Sequence, residues 1–180
     1  MRLLEKGDED LPFVCSRGAA QVEYLRVHAA AAHAADMSRT YVLLGPPGGP
    51  ELIGFYAICM GRITSTDLPE NKGKKLTQTA APAALLAQLA RDDRTDKGLG
   101  ATLVLDALER IAGLADQIGC CGTFLHAQVP RLVDFYQDIG FRRIGKSDAA
   151  HPLLWMSMKD IRATFAQEAL DAASEDLSTA

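Results

Sequence analysis

The chain has 180 residues, 48% of them hydrophobic and 23% charged, with a formal net charge of −4. That length is enough to bury one good core, and the acidic balance argues against a broadly basic surface that coats nucleic acid. No apolar run approaches the ~20 residues of a bilayer helix, and Glu5, Asp8, Glu9 and Asp10 stand where a signal peptide would be basic then apolar, so a cytoplasmic protein is expected.

In chain order, a first strand near Leu3 leads to a helix over 19–34 and a strand over 40–44. Gly45-Pro-Pro-Gly-Gly-Pro50 is a stiff loop into a strand over 51–63, which predicts a hairpin. Residues 64–81 form one long polar connection carrying Lys72, Lys74 and Lys75. An apolar strand over 82–91 precedes a glycine-bearing turn. Leu103, Val104, Ala107, Leu108, Ile111, Leu114 and Ile118 then repeat at helical spacing up to Gly119. A strand over 121–127 follows, and next a short helix with Pro130 near its first position and Gly140 placed to cap its end. Strands over 141–144 and 151–158 close the order, with helical potential over 159–173. The domain is expected to span 1–161. Residues 162–180 form an acidic tail, where Arg162 stands against Glu168, Asp171, Glu175 and Asp176.

The turn Arg91-Asp-Asp-Arg-Thr-Asp-Lys-Gly-Leu-Gly100 carries the chemistry. Gly98 and Gly100 remove side chains where a ligand must approach the backbone, and the helix that follows offers unpaired N–H groups and a positive dipole end. Arg91, Arg94 and Lys97 add cations. Neither a GxxxxGK[ST] loop nor a three-glycine dinucleotide fingerprint is present. On these residues alone, a phosphate cradle and an ordinary tight turn are both open. Cys15, Cys59, Cys120 and Cys121 lack CxxC spacing, and His28, His33, His126 and His151 are scattered, so reduced thiols and no metal are expected.

The order strand, Gly-x-Gly turn, long helix, strand, and a helix reading Asp134-Phe-Tyr-Gln-Asp-Ile-Gly-Phe141 resembles the GNAT-family N-acetyltransferases. Phe13-Val-Cys15, Ser38-Arg-Thr-Tyr-Val42, Ile53-Gly-Phe-Tyr-Ala57, His126-Ala127 and Leu153-Leu-Trp-Met-Ser-Met-Lys-Asp160 resemble one branch, the acetyltransferase toxins of bacterial toxin–antitoxin pairs. The likeness covers about residues 3–161. The turn departs from the family pattern, with Thr95 at a position that is usually Gln or Arg and Asp96 where an extra glycine is common. An acid opposes a pyrophosphate. Either Arg94 and Lys97 compensate, or the Asp96 carboxylate turns to solvent while its N–H faces the ligand.

The resemblance implies an α+β fold: a mixed, mostly antiparallel central sheet of six to seven strands flanked by helices, with a splayed strand pair holding acetyl-CoA. It assigns the pantetheine arm to Leu89, Ala90 and Arg91. The pyrophosphate falls to the N–H groups of Asp96, Lys97, Gly98, Leu99, Gly100 and Ala101, with Arg94 and Thr95 beside them. Tyr136 becomes the acid that protonates the leaving thiolate. Phe135 joins the cofactor set and packs its helix on the sheet. Asp134, Asp138, His126 and Glu70 are candidates for a base by residue type only. The branch's acceptor is the α-amine of aminoacyl-tRNA, whose acetylation blocks translation, so Lys72, Lys74, Lys75 and Arg142 become candidate tRNA contacts with Arg143 beside them. A ribbon-helix-helix antitoxin partner is implied, and the branch often dimerises. Two other readings stand beside this one: an acetyltransferase for a small amine or a protein amine, and a non-catalytic GNAT-like binding module.

Overall fold

The computed structural model describes residues 1–49, 51–64, 66–68, 80–145 and 150–166. Lys72, Lys74, Lys75 and Glu70 lie outside them, as does the tail beyond 166. Seven strands, β1 (Arg2–Leu3), β2 (Arg39–Leu44), β3 (Leu52–Thr64), β4 (Ala80–Arg91), β5 (Gly122–His126), β6 (Arg142–Ile144) and β7 (Leu153–Ser157), form one sheet in the order β1-β2-β3-β4-β5-β7-β6. The helices are α1 (19–34), α2 (Leu99–Ala115), α3 (Leu132–Ile139) and α4 (158–166). The chain forms two compact units. One holds Met1–Gly61 and Ala84–Ala107, the other Arg62–Ala83 and Leu108–Ala180.

The first unit is centred on Leu4, Phe13, Leu25, Ala29, Val42, Leu52, Phe55 and Ala90. Phe55 takes the edge of Phe13 at 5.6 Å and stacks with Tyr24 at 6.5 Å. The Tyr24 hydroxyl meets Ser38 Oγ at 2.9 Å, so its polar end is satisfied beside an apolar body. β1 pairs antiparallel with β2, and β2 with β3. The second ladder slips at Leu43/Leu44, where Leu43 opposes Gly54 and Leu44 opposes Leu52. Ile53 is the extra residue, and its carbonyl accepts the N–H of Asp92 at 2.8 Å. Near the N-terminus Arg2 donates a fork to Asp8 at 2.7 and 2.8 Å. Burial raises the Asp8 pKa, but the Arg2 hydrogen bonds, the Glu5 N–H and the Arg2 charge together outweigh it, and the carboxyl sits below its usual range.

Helix α1 is not uniformly α-helical. Tyr24–His28 winds as a π-turn between α-helical Ala19–Glu23 and Ala29–Ala34. Within that turn Arg26 reaches out of the helix and donates to the carbonyls of Glu9 and of Leu11, the latter at 2.6 Å. A wider turn of this kind inserts one residue into the helical ladder and re-aims its side chains.

In the second unit, β5 pairs antiparallel with β7, and β7 with β6. Phe124, Leu125, Val133, Tyr136, Phe141, Leu154, Trp155, Met156 and Ile161 are buried there. Gly140 ends α3 in the left-handed conformation at φ 115°, which only glycine adopts without a penalty. Its N–H donates to the Gln137 carbonyl at 2.9 Å, and Phe141 N–H donates to that of Tyr136 at 3.0 Å. The apolar period of α2 outlasts its helix. The helix stops at Ala115, and both Leu114 and Ile118 are exposed.

Candidate active site

In the first unit the chain leaves β4 at Arg91 and enters α2 at Leu99. Asp92, with no exposed surface, organises the turn between them. Its carboxylate accepts four hydrogen bonds: Val14 N–H at 2.8 Å, Arg94 N–H at 2.9 Å, Arg94 Nε at 2.7 Å and an Arg94 Nη at 2.8 Å. Its carbonyl accepts the Thr95 hydroxyl at 2.6 Å and an Arg91 Nη at 3.2 Å. Asp93 takes Ser16 N–H at 2.7 Å and gives its own N–H to the Val14 carbonyl at 2.7 Å. A further Arg94 bond reaches the Pro12 carbonyl at 3.3 Å. The segment 12–16 is therefore sewn to the turn almost entirely through its backbone.

These contacts reassign the turn's charges. Arg91 curls back on the turn, reaching the Thr95 carbonyl at 2.9 Å, and Arg94 pairs with Asp92. Arg91, Arg94 and Lys97 are balanced by Asp92, Asp93 and Asp96, so the turn has no net positive charge. Thr95 uses its hydroxyl internally. Asp96 is exposed, and its carboxylate has no partner among the described residues. Lys97 is exposed and likewise without an ion pair among them.

The turn still offers donors. The N–H groups of Asp96, Lys97, Gly98 and Gly100 have no hydrogen-bond acceptor among the described residues, whereas those of Thr95, Leu99 and Ala101 bond within the turn. The unpaired groups sit at the N-terminal end of a 17-residue helix, where partial positive charge collects. A Cβ built on Gly98 would meet nothing within 4 Å, and its φ lies outside the left-handed range. Nothing among the described residues requires glycine there, which fits a residue kept small for a ligand. On β4, Gln88 holds its amide oxygen buried and without a partner among the described residues, beside Leu89, Ala90 and Arg91.

The Arg94 hydrogen bonds, with two backbone N–H groups, hold the Asp92 carboxyl down at about 2 against an ordinary 3.8, despite its burial. A depressed acid contributes stability above its unfolded pKa and loses it as pH falls through its folded one. The expected result is about 2 kcal/mol present above pH 3.8 and lost progressively toward pH 2. Urea unfolding of the protein and of Asp92→Asn across that range checks it. The difference between the two proteins must shrink as pH falls.

In the second unit, α3 buries Val133 and Tyr136. The Tyr136 ring meets Phe135 at 5.0 Å and Phe141 at 5.7 Å, both edge to face. Its hydroxyl has no hydrogen-bond partner among the described residues. Burial pushes the phenol up to about 12, so it stays protonated at every physiological pH. Arg142 is exposed on β6 opposite Trp155, and neighbouring Arg143 points to the other face of the strand, so the two arginines do not share one basic face. His126, Asp134 and Asp138 are exposed. Among the described residues no group of three His, Cys, Asp or Glu is placed to hold a metal, and no helix is long and apolar enough to cross a membrane.

The seven-stranded sheet, with a donor-rich turn between β4 and a long helix, defines a GNAT-type fold. A tyrosine-to-phenylalanine mutant of KacT superimposes with a TM-score of 0.78 at 24% identity, over 91% of this chain and 99% of that one. AtaT complexed with acetyl-methionyl-tRNAfMet gives 0.75 at 26%, over 85% and 89%. AtaTR bound with acetyl-CoA gives 0.75 at 27%, over 91% and 96%. Among curated proteins, the tRNA-acetylating toxin of Mycobacterium tuberculosis is 33% identical over 142 residues, spanning 78% of this chain and 81% of that protein. The probable toxin TacT of Sinorhizobium fredii is 38% identical over 117 residues, 60% of this chain; that match spans 64% of the relative's length. No family model matches the sequence. The chain belongs to the GNAT-type acetyltransferase toxins, the family of TacT, AtaT and KacT.

Proposed function

We propose that this protein transfers the acetyl group of acetyl-CoA to the α-amine of the amino acid on aminoacyl-tRNA, acting in the cytoplasm as a toxin that blocks translation. The observation that carries the reading is the 33% identity across 81% of a tRNA-acetylating toxin. The turn supports it from the donor side. Asp96, Lys97, Gly98 and Gly100 present N–H groups without acceptors among the described residues, as a diphosphate requires. The buried Gln88 oxygen suits an amide N–H of the pantetheine arm running along Leu89, Ala90 and Arg91.

Acetyl-CoA supplies an activated acyl thioester. The acceptor must arrive as a neutral amine, and the α-amine of an aminoacyl ester titrates below the ~7.7 of a free α-amine, so it needs little help from a base. Tyr136 acts on the leaving sulfur. Burial keeps its phenol protonated, so it is placed to act as the acid: it hydrogen-bonds the developing thiolate and gives it a proton, and the proton that the new amide nitrogen sheds restores the phenol. Phe135 and Phe141 keep that donor dry. Lys72, Lys74 and Lys75, with Arg142, complete the reading as contacts for the acceptor stem. A ribbon-helix-helix antitoxin and a homodimer are also part of it, and the exposed Val27, Met37 and Met60 are apolar surface that such partners would cover.

The test is transfer of labelled acetyl from acetyl-CoA to bulk charged tRNA at low and high salt. Transfer that falls steeply with salt is the expected result. Transfer only to free amines would replace the tRNA reading by that of a small-amine or protein-amine enzyme. Failure to bind acetyl-CoA would overturn the enzyme reading itself.

A further inference from the structure

We infer that Asp92 and Arg94 are positioning residues for the donor site: the buried carboxylate and its guanidinium partner hold the phosphate turn open without touching the phosphates. The inference rests on the acetyl-CoA reading above. Arg94 thereby leaves the residues that the family resemblance places at the pyrophosphate.

Two of Arg94's nitrogens, Nε and an Nη, are spent on Asp92 at 2.7 and 2.8 Å, and that Nη also reaches the Pro12 carbonyl at 3.3 Å. This is a planar fork on a carboxylate, the strongest geometry available to an arginine. Asp92 in turn fixes the peptide at Arg94 and the N–H of Val14, and its own N–H is fixed on Ile53. The far end of the same N-terminal segment is fixed independently by Arg26, through the carbonyls of Glu9 and Leu11. Two arginines thus brace the segment 9–16 from opposite ends, one from α1 and one from the turn. With residues 92–95 committed to these bonds, the next N–H groups, at Asp96, Lys97, Gly98 and Gly100, are left without acceptors among the described residues. A looser turn would fold onto its own carbonyls and consume the donors it should present.

The sign of one substitution separates positioning from simple electrostatics. Asp92→Asn removes a negative charge close to the diphosphate, so a pure charge account requires tighter acetyl-CoA binding. Positioning requires weaker binding. The experiment is calorimetric titration of acetyl-CoA into the folded protein and its Asp92→Asn, Arg94→Gln and Arg94→Lys variants, with kcat and KM for both substrates. The expected result is a Kd for acetyl-CoA raised about tenfold in Asp92→Asn and Arg94→Gln, with KM for charged tRNA little changed and kcat at saturating acetyl-CoA falling far less than kcat/KM. Arg94→Lys keeps the charge but not the fork, and is expected to bind almost as weakly as Arg94→Gln. Arg94 is about half-exposed, so its variants are readable even where Asp92→Asn folds poorly. Affinity that is equal or tighter in Asp92→Asn, or fully kept in Arg94→Lys, overturns the inference while leaving the acetyltransferase reading standing. Absence of binding by the unsubstituted protein overturns both.

Discussion

Tyr136→Phe is expected to leave the protein folded and to lower kcat for acetyl transfer about tenfold or more, a loss of at least ~1.4 kcal/mol of transition-state stabilisation. The ring contacts with Phe135 and Phe141 survive the change, and the hydroxyl has no partner among the described residues to lose. The unfolding midpoint should therefore barely move. Acetyl-CoA affinity should also hold, because a bond made only as charge develops on sulfur contributes nothing to the ground state. Because the phenol titrates near 12, the tyrosine should leave no alkaline limb in the rate profile below about pH 11. Unchanged kcat in the variant would remove Tyr136 from the chemistry, and a collapsed midpoint would make it a core residue instead.

The largest expected effect on stability lies at Gly122, the first residue of β5. A Cβ there would stand 2.3 Å from the Met156 carbonyl oxygen and 2.6 Å from the Trp155 ring. The carbonyl belongs to the partner strand β7 and the ring is buried, so neither yields cheaply. Gly122→Ala is expected to cost roughly 3 kcal/mol or more, a large share of the 5–15 kcal/mol by which a domain is stable. Gly113→Ala is the control: it lies within α2, its Cβ would meet nothing within 4 Å, and helix propensity predicts a gain of up to about 1 kcal/mol. Urea midpoints of the two variants should move in opposite directions. Equal midpoints would mean that β7 can retreat from β5.

Much of the fold was legible because period and punctuation agree. The hairpin 40–63, the apolar strand before the turn and the Gly140 cap lie within a few residues of where the sequence places them. What failed to be legible was partnership across the chain. Arg91 and Arg94 look like a basic cluster in sequence, since nothing local reveals that Asp92 is buried and that Val14, 78 residues away, donates to it. The Asp-Asp pair directly after an apolar strand is the one signal that could have pointed there, as a buried acid in that place must be compensated. Thr95 reads as a departure from the family pattern, yet its hydroxyl simply closes the turn on the Asp92 carbonyl. Leu114 and Ile118 kept the helical period going past Ala115, because periodicity records a face and not where the surface covering it ends. The π-turn at 24–28 left no trace in composition.

The brace on residues 12–16 reaches them through Pro12, Val14 and Ser16 backbone atoms, and Val14 itself is half-exposed. At position 14 the connection uses only the main-chain N–H and carbonyl, which any residue but proline can supply. Substitutions at position 14 can therefore accumulate between relatives without loosening the neighbouring turn. Divergence in what this part of the surface touches is uncoupled from the inherited capacity to hold the acyl donor, so a lineage can try new partners there while its chemistry stays intact.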